Sequence, residues 1–147
     1  MREAIELARE GIRTRNGEVG CVVTRGDVVV YRGYNTMNST WDVTGHAEIS
    51  ALRALSTELR TFDLAGHTLY CTLQPCGMCA CACVWARLDR VVFGAGSGDV
   101  PAEYFDLIDL GPAEIFARST SGAPELTAGV LRDDCAALYW DPHRARL

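Results

Sequence analysis

The chain has 147 residues, of which 48% are hydrophobic and 22% charged; this is the size and balance of one globular domain and excludes a disordered chain. A formal net charge of −5 argues against a nucleic-acid partner, because such proteins usually carry a basic surface. No apolar run approaches the roughly 20 residues that span a bilayer, and residues 1–6 lack the apolar stretch of a signal peptide, so we expect a cytoplasmic protein without a membrane partner.

The first half of the chain predicts a helix, a hairpin and a second helix. Apolar residues recur at helical spacing up to Gly11–Gly17, where the first helix is expected to end. Two β-branched runs, 19–23 and 28–31, flank a turn and predict two antiparallel strands. After a loop over 35–45, residues 46–55 favour a helix.

The second half of the chain alternates strand and helix. A strand over 67–72 is followed by a helix from Pro75 to Leu88, because proline suits the first turn of a helix. The remaining predicted elements are a strand over 90–94, a crossover helix over 102–110, a strand over 114–117 and a closing helix over 126–140. We therefore expect one α/β domain over residues 1–147, a three-layer α/β/α sandwich around a mixed sheet of about five strands.

The cysteines are unevenly distributed along the chain. There are seven, an odd number, and five of them crowd between residues 71 and 83, which is poor geometry for a disulfide framework. In a reducing compartment such a cluster more often binds a metal. Two of them, Cys76 and Cys79, have the spacing of metal ligands, and we expect the other five to fill the core: Cys21, Cys71, Cys81, Cys83 and Cys135.

Two short motifs carry the candidate chemistry. His46-Ala47-Glu48 is followed by Pro75-Cys76-Gly77-Met78-Cys79, and together they match the His-x-Glu and Pro-Cys-x-x-Cys signature of zinc deaminases. One imidazole and two thiolates give zinc three protein ligands and leave the fourth tetrahedral position open, which is typical of a catalytic site. Zinc in such a site activates a water molecule near neutral pH.

The spacing within each motif indicates where the site lies. Cys76 and Cys79 can point to the same side at the start of a helix, whose N-terminus favours thiolates. His46 and Glu48 would lie about 200° apart on a continuous helix, so they converge only where a helix begins. We expect two helix N-termini to face one zinc ion, with Glu48 moving protons from water to the ring nitrogen and the departing amine.

A structural zinc site is the alternative interpretation. In that case Cys81 or Cys83 would supply a fourth ligand and close the coordination shell. Such a site has no use for a glutamate, so the presence of Glu48 favours catalysis.

The chain resembles the cytidine deaminase superfamily, and within it the branch that contains guanine deaminase, yeast-type cytosine deaminase and bacterial tRNA adenosine deaminase. Three segments carry the resemblance: 33–35, 44–49 and 68–79. It implies an α/β/α sandwich assembled as a homodimer, zinc ligation by His46, Cys76 and Cys79, and proton transfer by Glu48.

The resemblance also implies four substrate contacts. Asn35 would hydrogen-bond the ring, although a turn role is the alternative, and the backbone N–H of Ala47 would touch the base. Trp85 matches an aromatic near the substrate of guanine deaminase, although a core role is the alternative. Asp106 belongs to a pair of residues that resembles an acidic recognition motif in the same enzyme.

These features predict a zinc-dependent hydrolytic deaminase of a small ring of the guanine or cytosine type, base or nucleoside, which releases ammonia and has no nucleic-acid partner. A tRNA adenosine deaminase is the alternative, because residues 126–131 and 135–138 resemble that enzyme. The segment 143–146, with one histidine and two arginines, would then be the only basic segment for binding RNA, and it is short. A non-catalytic zinc-stabilised scaffold is a third hypothesis. Relatives that become scaffolds lose the glutamate, whereas Glu48 is present.

Overall fold

The computed structural model describes residues 1–104 and 110–141. Its strands are β1 (Gly20–Arg25), β2 (Val28–Tyr34), β3 (His67–Leu73), β4 (Arg90–Ala95) and β5 (Glu125–Thr127). They form one sheet in the order β2-β1-β3-β4-β5. β1 pairs antiparallel with β2 and β3, whereas β3, β4 and β5 run parallel, so the sheet is mixed as predicted.

Helices cover both faces of this sheet. Within the described residues they are α1 (Arg2–Arg13), α2 (Met37–Thr40), α3 (Ala47–Leu59), α4 (Gly77–Trp85), α5 (Pro112–Ala117) and α6 (Arg132–Ala137). α1 and α6 pack on one face, α3 and α4 pack on the other, and α5 lies against α4. This arrangement confirms the three-layer α/β/α sandwich. No helix in the described residues has the length and apolar character needed to cross a bilayer.

Two hydrophobic cores hold the layers together. The larger core joins α3 and α4 to inward-facing residues of the central strands, such as Leu69 and Val91. The smaller core joins the apolar stripe of α1 to Leu138 and Tyr139 near the C-terminal end of the described chain. Because side chains alternate across a strand, one set of strands supplies both cores.

The sheet also fixes which chain segments meet at one of its edges. β1 begins at the edge where its antiparallel neighbours β2 and β3 end, and the parallel strand β4 ends there too. Asn35 follows β2 at this edge, and its backbone N–H donates to Val19 O at 2.8 Å. Cys76 follows β3 at the same edge, so the topology brings the candidate motifs together.

The predicted elements of the C-terminal third differ from the observed ones. Residues 114–117 were expected to form a strand but lie in helix α5, which begins at Pro112, a favourable first helical position. The fifth strand is instead Glu125–Thr127, which was partly assigned to the closing helix. The predicted helix over 102–110 begins with a single 3₁₀ turn at Ala102–Tyr104, and residues 105–109 lie outside the described residues.

Two local predictions near the candidate site were also wrong. The helix expected from Pro75 begins at Gly77, with Cys76 as its N-cap, so Pro75 precedes the helix. Cys81 was expected in the core but is exposed, because it lies about 200° around α4 from the buried Cys79. Cys83 is buried, as expected.

Candidate active site

Three side chains form a compact group of potential metal ligands. The ligand atoms of His46, Cys76 and Cys79 all lie within 4.8 Å of one another. His46 Nδ1 lies 3.6 Å from Cys76 Sγ and 3.5 Å from Cys79 Sγ. One imidazole and two thiols in this arrangement fit zinc, which accepts nitrogen and sulfur ligands in a tetrahedral site.

Two helix starts position this group. His46 is the N-cap of α3 and Cys76 is the N-cap of α4, and both have an extended backbone. Cys79 is the third residue of α4, so it lies in the first turn with its side chain near that of Cys76. The first N–H groups of each helix have no partner within their own helix, and their dipole favours negative charge on nearby thiolates.

Hydrogen bonds link the two thiols and the imidazole of this group and shift their pKa values. The pKa of Cys76 is lowered to about 4, chiefly because the Cys79 thiol donates a hydrogen bond to it and also because it is bonded to His46. The pKa of Cys79 is raised by that same hydrogen bond and by burial. The pKa of His46 is raised, mainly by its hydrogen bond to Cys76. The lowered pKa favours the thiolate form of Cys76, which is the form that binds a metal.

Glu48 is the buried carboxyl of this site. It is the second residue of α3 and is only 3% exposed. Burial raises its pKa, and this effect is opposed by the positive charge of His46, by its own backbone N–H and by a hydrogen bond from Cys79. The carboxyl thus lies beside the ligand group, where burial favours its protonated form more than water does.

Neither of the neighbouring cysteines joins the ligand group. Cys81 is exposed, and Cys83 is buried in the core between the sheet and α4. Among the described residues, the group consists of His46, Cys76 and Cys79 alone. The part of the chain that the structure describes thus supplies the three protein ligands of an open, catalytic zinc site and no fourth, which a closed structural site requires.

Two of the predicted substrate contacts lie at this edge of the sheet. Asn35 is buried, and its Oδ1 accepts a hydrogen bond of 3.0 Å from the backbone N–H of Met37, so it does hold a turn. That bond uses the amide oxygen and leaves the two N–H donors of the side chain for another partner. Ala47 is the buried first residue of α3, where its backbone N–H has no partner within the helix.

A third predicted substrate contact, Trp85, is not brought to the ligand group. Trp85 is the last residue of α4, at the end of the helix opposite Cys76, and is 85% exposed. It lines a surface recess with Ile49, Leu52 and Phe62, so the alternative of a core residue is wrong, whereas the substrate contact stays a prediction. Asp106 lies outside the described residues.

A second buried carboxyl at this edge was not predicted. Glu18, two residues before β1, is 4% exposed, and its Oε1 accepts a hydrogen bond of 3.1 Å from the Tyr104 hydroxyl. The Tyr104 ring packs edge-on against Tyr139, at 4.8 Å between ring centroids. The sequence gives no signal of this burial, because an acidic residue before a strand is ordinarily exposed.

The α/β/α sandwich and the His-Cys-Cys group beside a buried glutamate are the fold and the zinc-site signature of the cytidine deaminase type. Residues 1–95, more than half of the chain, match the family described as the cytidine and deoxycytidylate deaminase zinc-binding region. The chain belongs to this family, whose members include hydrolases that act on C–N bonds.

Among curated relatives, the chain is 37% identical over 142 residues to the tRNA(Ile)-lysidine synthase of Deinococcus deserti, covering 96% of this chain and 26% of that protein. The chain thus spans about a quarter of the length of that relative. It is 34% identical over 125 residues to the tRNA-specific adenosine deaminase of Buchnera aphidicola, covering 84% of this chain and 79% of the relative.

Solved structures share the fold over nearly the whole chain. A tRNA:A34 deaminase studied for A-to-I editing superposes with a TM-score of 0.80 at 30% identity, covering 94% of this chain and 96% of that one. The guanine deaminase of Nitrosomonas europaea superposes with a TM-score of 0.81 at 26% identity, covering 95% and 80%.

These relatives overturn one expectation from the sequence. Nucleic acid was excluded as a partner because of the acidic net charge, yet several relatives are tRNA-specific adenosine deaminases, so the exclusion was wrong. Net charge is a sum over the whole chain, whereas contact with RNA depends on the charges and aromatic groups around one site.

Proposed function

We propose that this chain is an RNA adenosine deaminase that acts on a tRNA loop, replacing the exocyclic amino group of adenine with oxygen from water and releasing ammonia. The observation that carries the proposal is the similarity to tRNA-specific adenosine deaminases over most of both chains, combined with the buried Glu48 beside the three-ligand group. The small guanine- or cytosine-type substrate expected from the sequence has weaker support, since the guanine deaminase of Bacillus subtilis matches 72% of this chain, against 84% to 94% for the tRNA-specific enzymes.

The proposed roles of the side chains follow from their positions. His46, Cys76 and Cys79 would hold zinc, which supplies Lewis-acid activation of a water molecule when bound. Glu48 would accept a proton from that water and deliver protons to the ring nitrogen and the departing amine. Burial raises the pKa of this carboxyl above its ordinary value, which favours the protonated form that donates.

The base would be held by groups at the same sheet edge. The side-chain N–H donors of Asn35 can bind acceptor atoms of a ring, since its Oδ1 already accepts from Met37. The unpaired first N–H groups of α3, including that of Ala47, provide a second set of donors. A purine ring in RNA reaches such a pocket only from an unpaired position, where the base can leave the stack.

The experiment that tests the proposal compares substrates of both classes. Zinc-loaded protein is incubated separately with an anticodon stem-loop RNA that has adenosine in its loop, with free adenosine, with guanine and with cytosine. Ammonia is measured, and the RNA is digested to quantify inosine. Inosine in the RNA supports the proposal, whereas ammonia from guanine or cytosine but not from RNA overturns it.

Three further expectations from the sequence stay predictions: the cytoplasmic location, the homodimer and the single domain over residues 1–147. The same is true of the substrate contacts assigned to Trp85 and Asp106.

A further inference from the structure

The loop over residues 36–45, between Asn35 and His46, carries an exposed tryptophan. Trp41 lies between Asn35 and His46 in the chain and is 95% exposed. The base of this loop is closed by a hydrogen bond of 2.8 Å from Thr36 N to Gly45 O. The tryptophan therefore stands on a loop whose two ends lead directly into the site.

The loop is held in one conformation by its own polar groups. Asp42 Oδ1 accepts hydrogen bonds from the backbone N–H and the hydroxyl of Thr44, at 2.8 and 2.7 Å. Arg53 of α3 donates to Asp42 Oδ2 at 3.3 Å and to Thr44 Oγ1 at 3.0 Å. Trp41 itself has a left-handed backbone, with φ 54° and ψ 35°, which is costly for a residue with a side chain. These bonds stabilise a strained turn that presents a large apolar ring to solvent.

An arginine lies beside the same loop. The Asn38 side chain donates a hydrogen bond of 3.0 Å to the backbone O of Arg15, and the Ser39 N–H donates to Asn16 Oδ1 at 3.0 Å. Arg15 is exposed. In the described part of the chain seven arginines lie within ion-pair distance of a carboxylate, and Arg15 is not one of them. Its guanidinium is therefore available to an outside anion.

We propose that Trp41 stacks on an unpaired base that neighbours the target nucleotide and that Arg15 contacts an adjacent backbone phosphate. This inference rests on the proposed RNA substrate and names the surface that recognises it. Single-stranded nucleic acids are bound by aromatic side chains that stack on bases together with cations that follow the backbone. A rigid loop loses little conformational entropy when a base stacks on it.

The surroundings of Trp41 favour RNA over a protein partner. The exposed neighbours Asn38, Ser39 and Thr40 are polar, and Val43 is the one other large apolar side chain that is exposed on this loop. A second exposed aromatic surface, around Trp85 and Phe62, is instead contiguous with apolar residues of α3 and α4. Aromatic rings among mainly polar groups are typical of nucleic-acid surfaces, whereas protein interfaces have apolar centres.

The test compares Trp41→Ala, Trp41→Phe and the control Trp140→Ala, which removes an exposed tryptophan from the C-terminal end of the described chain. KM for the stem-loop RNA should rise about tenfold in Trp41→Ala, stay near wild type in Trp41→Phe, and be unchanged in the control. kcat and zinc content should be unchanged in all three. In a Trp85→Phe/Trp140→Phe background, which leaves Trp41 as the single tryptophan, RNA should quench the fluorescence.

The outcomes separate this inference from the proposed function. If the RNA is deaminated and Trp41→Ala leaves KM unaltered, the stacking role is overturned while the function holds. If no RNA is deaminated but RNA still quenches the Trp41 fluorescence, the surface is supported and the function fails. If Trp41→Ala changes the sedimentation of the protein and not its RNA affinity, Trp41 faces a protein and the inference is overturned.

Discussion

His46 and Cys76 occupy equivalent positions in two different helices: each is an N-cap with an extended backbone, and their side-chain atoms Nδ1 and Sγ lie 3.6 Å apart. The N-cap of each of these two helices therefore supplies one side chain of the ligand group. A helix start exposes N–H groups that have no partner within the helix, and it is the positive end of the helix dipole. The starts of α3 and α4 therefore both favour negative charge at the ligand group, on its thiolates and in an anionic transition state.

Replacing Glu48 with glutamine should leave the metal group intact and stop catalysis. Glutamine has nearly the same shape, so the buried site can keep its packing, but it cannot accept or donate the proton that the reaction moves. We expect kcat to fall by about 100- to 10,000-fold with zinc content unchanged. The control is Glu58→Gln, an exposed position of the same helix, which should retain activity. Undiminished turnover in Glu48→Gln would remove this residue from the mechanism.

Cys76, the N-cap of α4, and Cys81, within α4, should respond in opposite ways to substitution. Cys76→Ser replaces a ligand of the group with a hydroxyl that ionises far less readily than a thiol, so zinc and activity should both be lost. Cys81→Ser changes an exposed residue outside the ligand group and should keep both. Zinc per chain, measured by mass spectrometry after desalting, checks the pair. Loss of zinc from Cys81→Ser would contradict the three-ligand site.

The site could be predicted from the sequence more fully than the fold could. Helical periodicity forces His46 and Glu48 to the start of a helix if they share a site, and the structure places them there. The strand Glu125–Thr127 could not be predicted, because it is only three residues long and exists through its pairing with β4. Local propensity does not encode a partner that lies about 35 residues earlier in the chain.

Glu18 shows a second kind of information that the sequence lacks. Its carboxyl is buried, and it accepts a hydrogen bond from the Tyr104 hydroxyl, 86 residues later in the chain. The exposure of Cys81 has a simpler cause, since its position on α4 follows from where the helix begins. Once Cys76 is known to be the N-cap, the helical repeat places Cys81 on the outer side. The residue at which α4 begins thus decides whether a cysteine of this segment is a metal ligand, a core residue or a surface residue.

Substitution of Gly20 by alanine should destabilise the contact between α1 and the sheet. A Cβ atom there would lie 1.9 Å from the backbone O of Ala4 and 2.6 Å from the N of Ala8, so the helix would have to move. We expect a loss of about 1–3 kcal/mol or more in the free energy of unfolding. Gly98→Ala is the matched control, since no atom lies within 4 Å of its added Cβ. Equal stability of the two variants in urea denaturation would contradict this packing.

The bond between Asp99 and Arg132 should make stability depend on acid pH. Asp99 Oδ2 accepts hydrogen bonds of 2.8 Å from the Gly96 N–H and from Arg132 Nε, and Arg132 and this N–H lower its pKa below the usual 3.8.

A carboxyl whose pKa is lower in the folded than in the unfolded chain stabilises the fold fully above the unfolded value, and loses that effect as pH falls through the folded value. Asp99→Asn should therefore cost about 1 kcal/mol at pH 7, since water screens the exposed Arg132. The difference from wild type should persist down to about pH 5 and shrink below about pH 4. Urea denaturation of both proteins between pH 7 and pH 3 measures it, and a difference that grows as the pH falls would show that this carboxylate does not stabilise the fold.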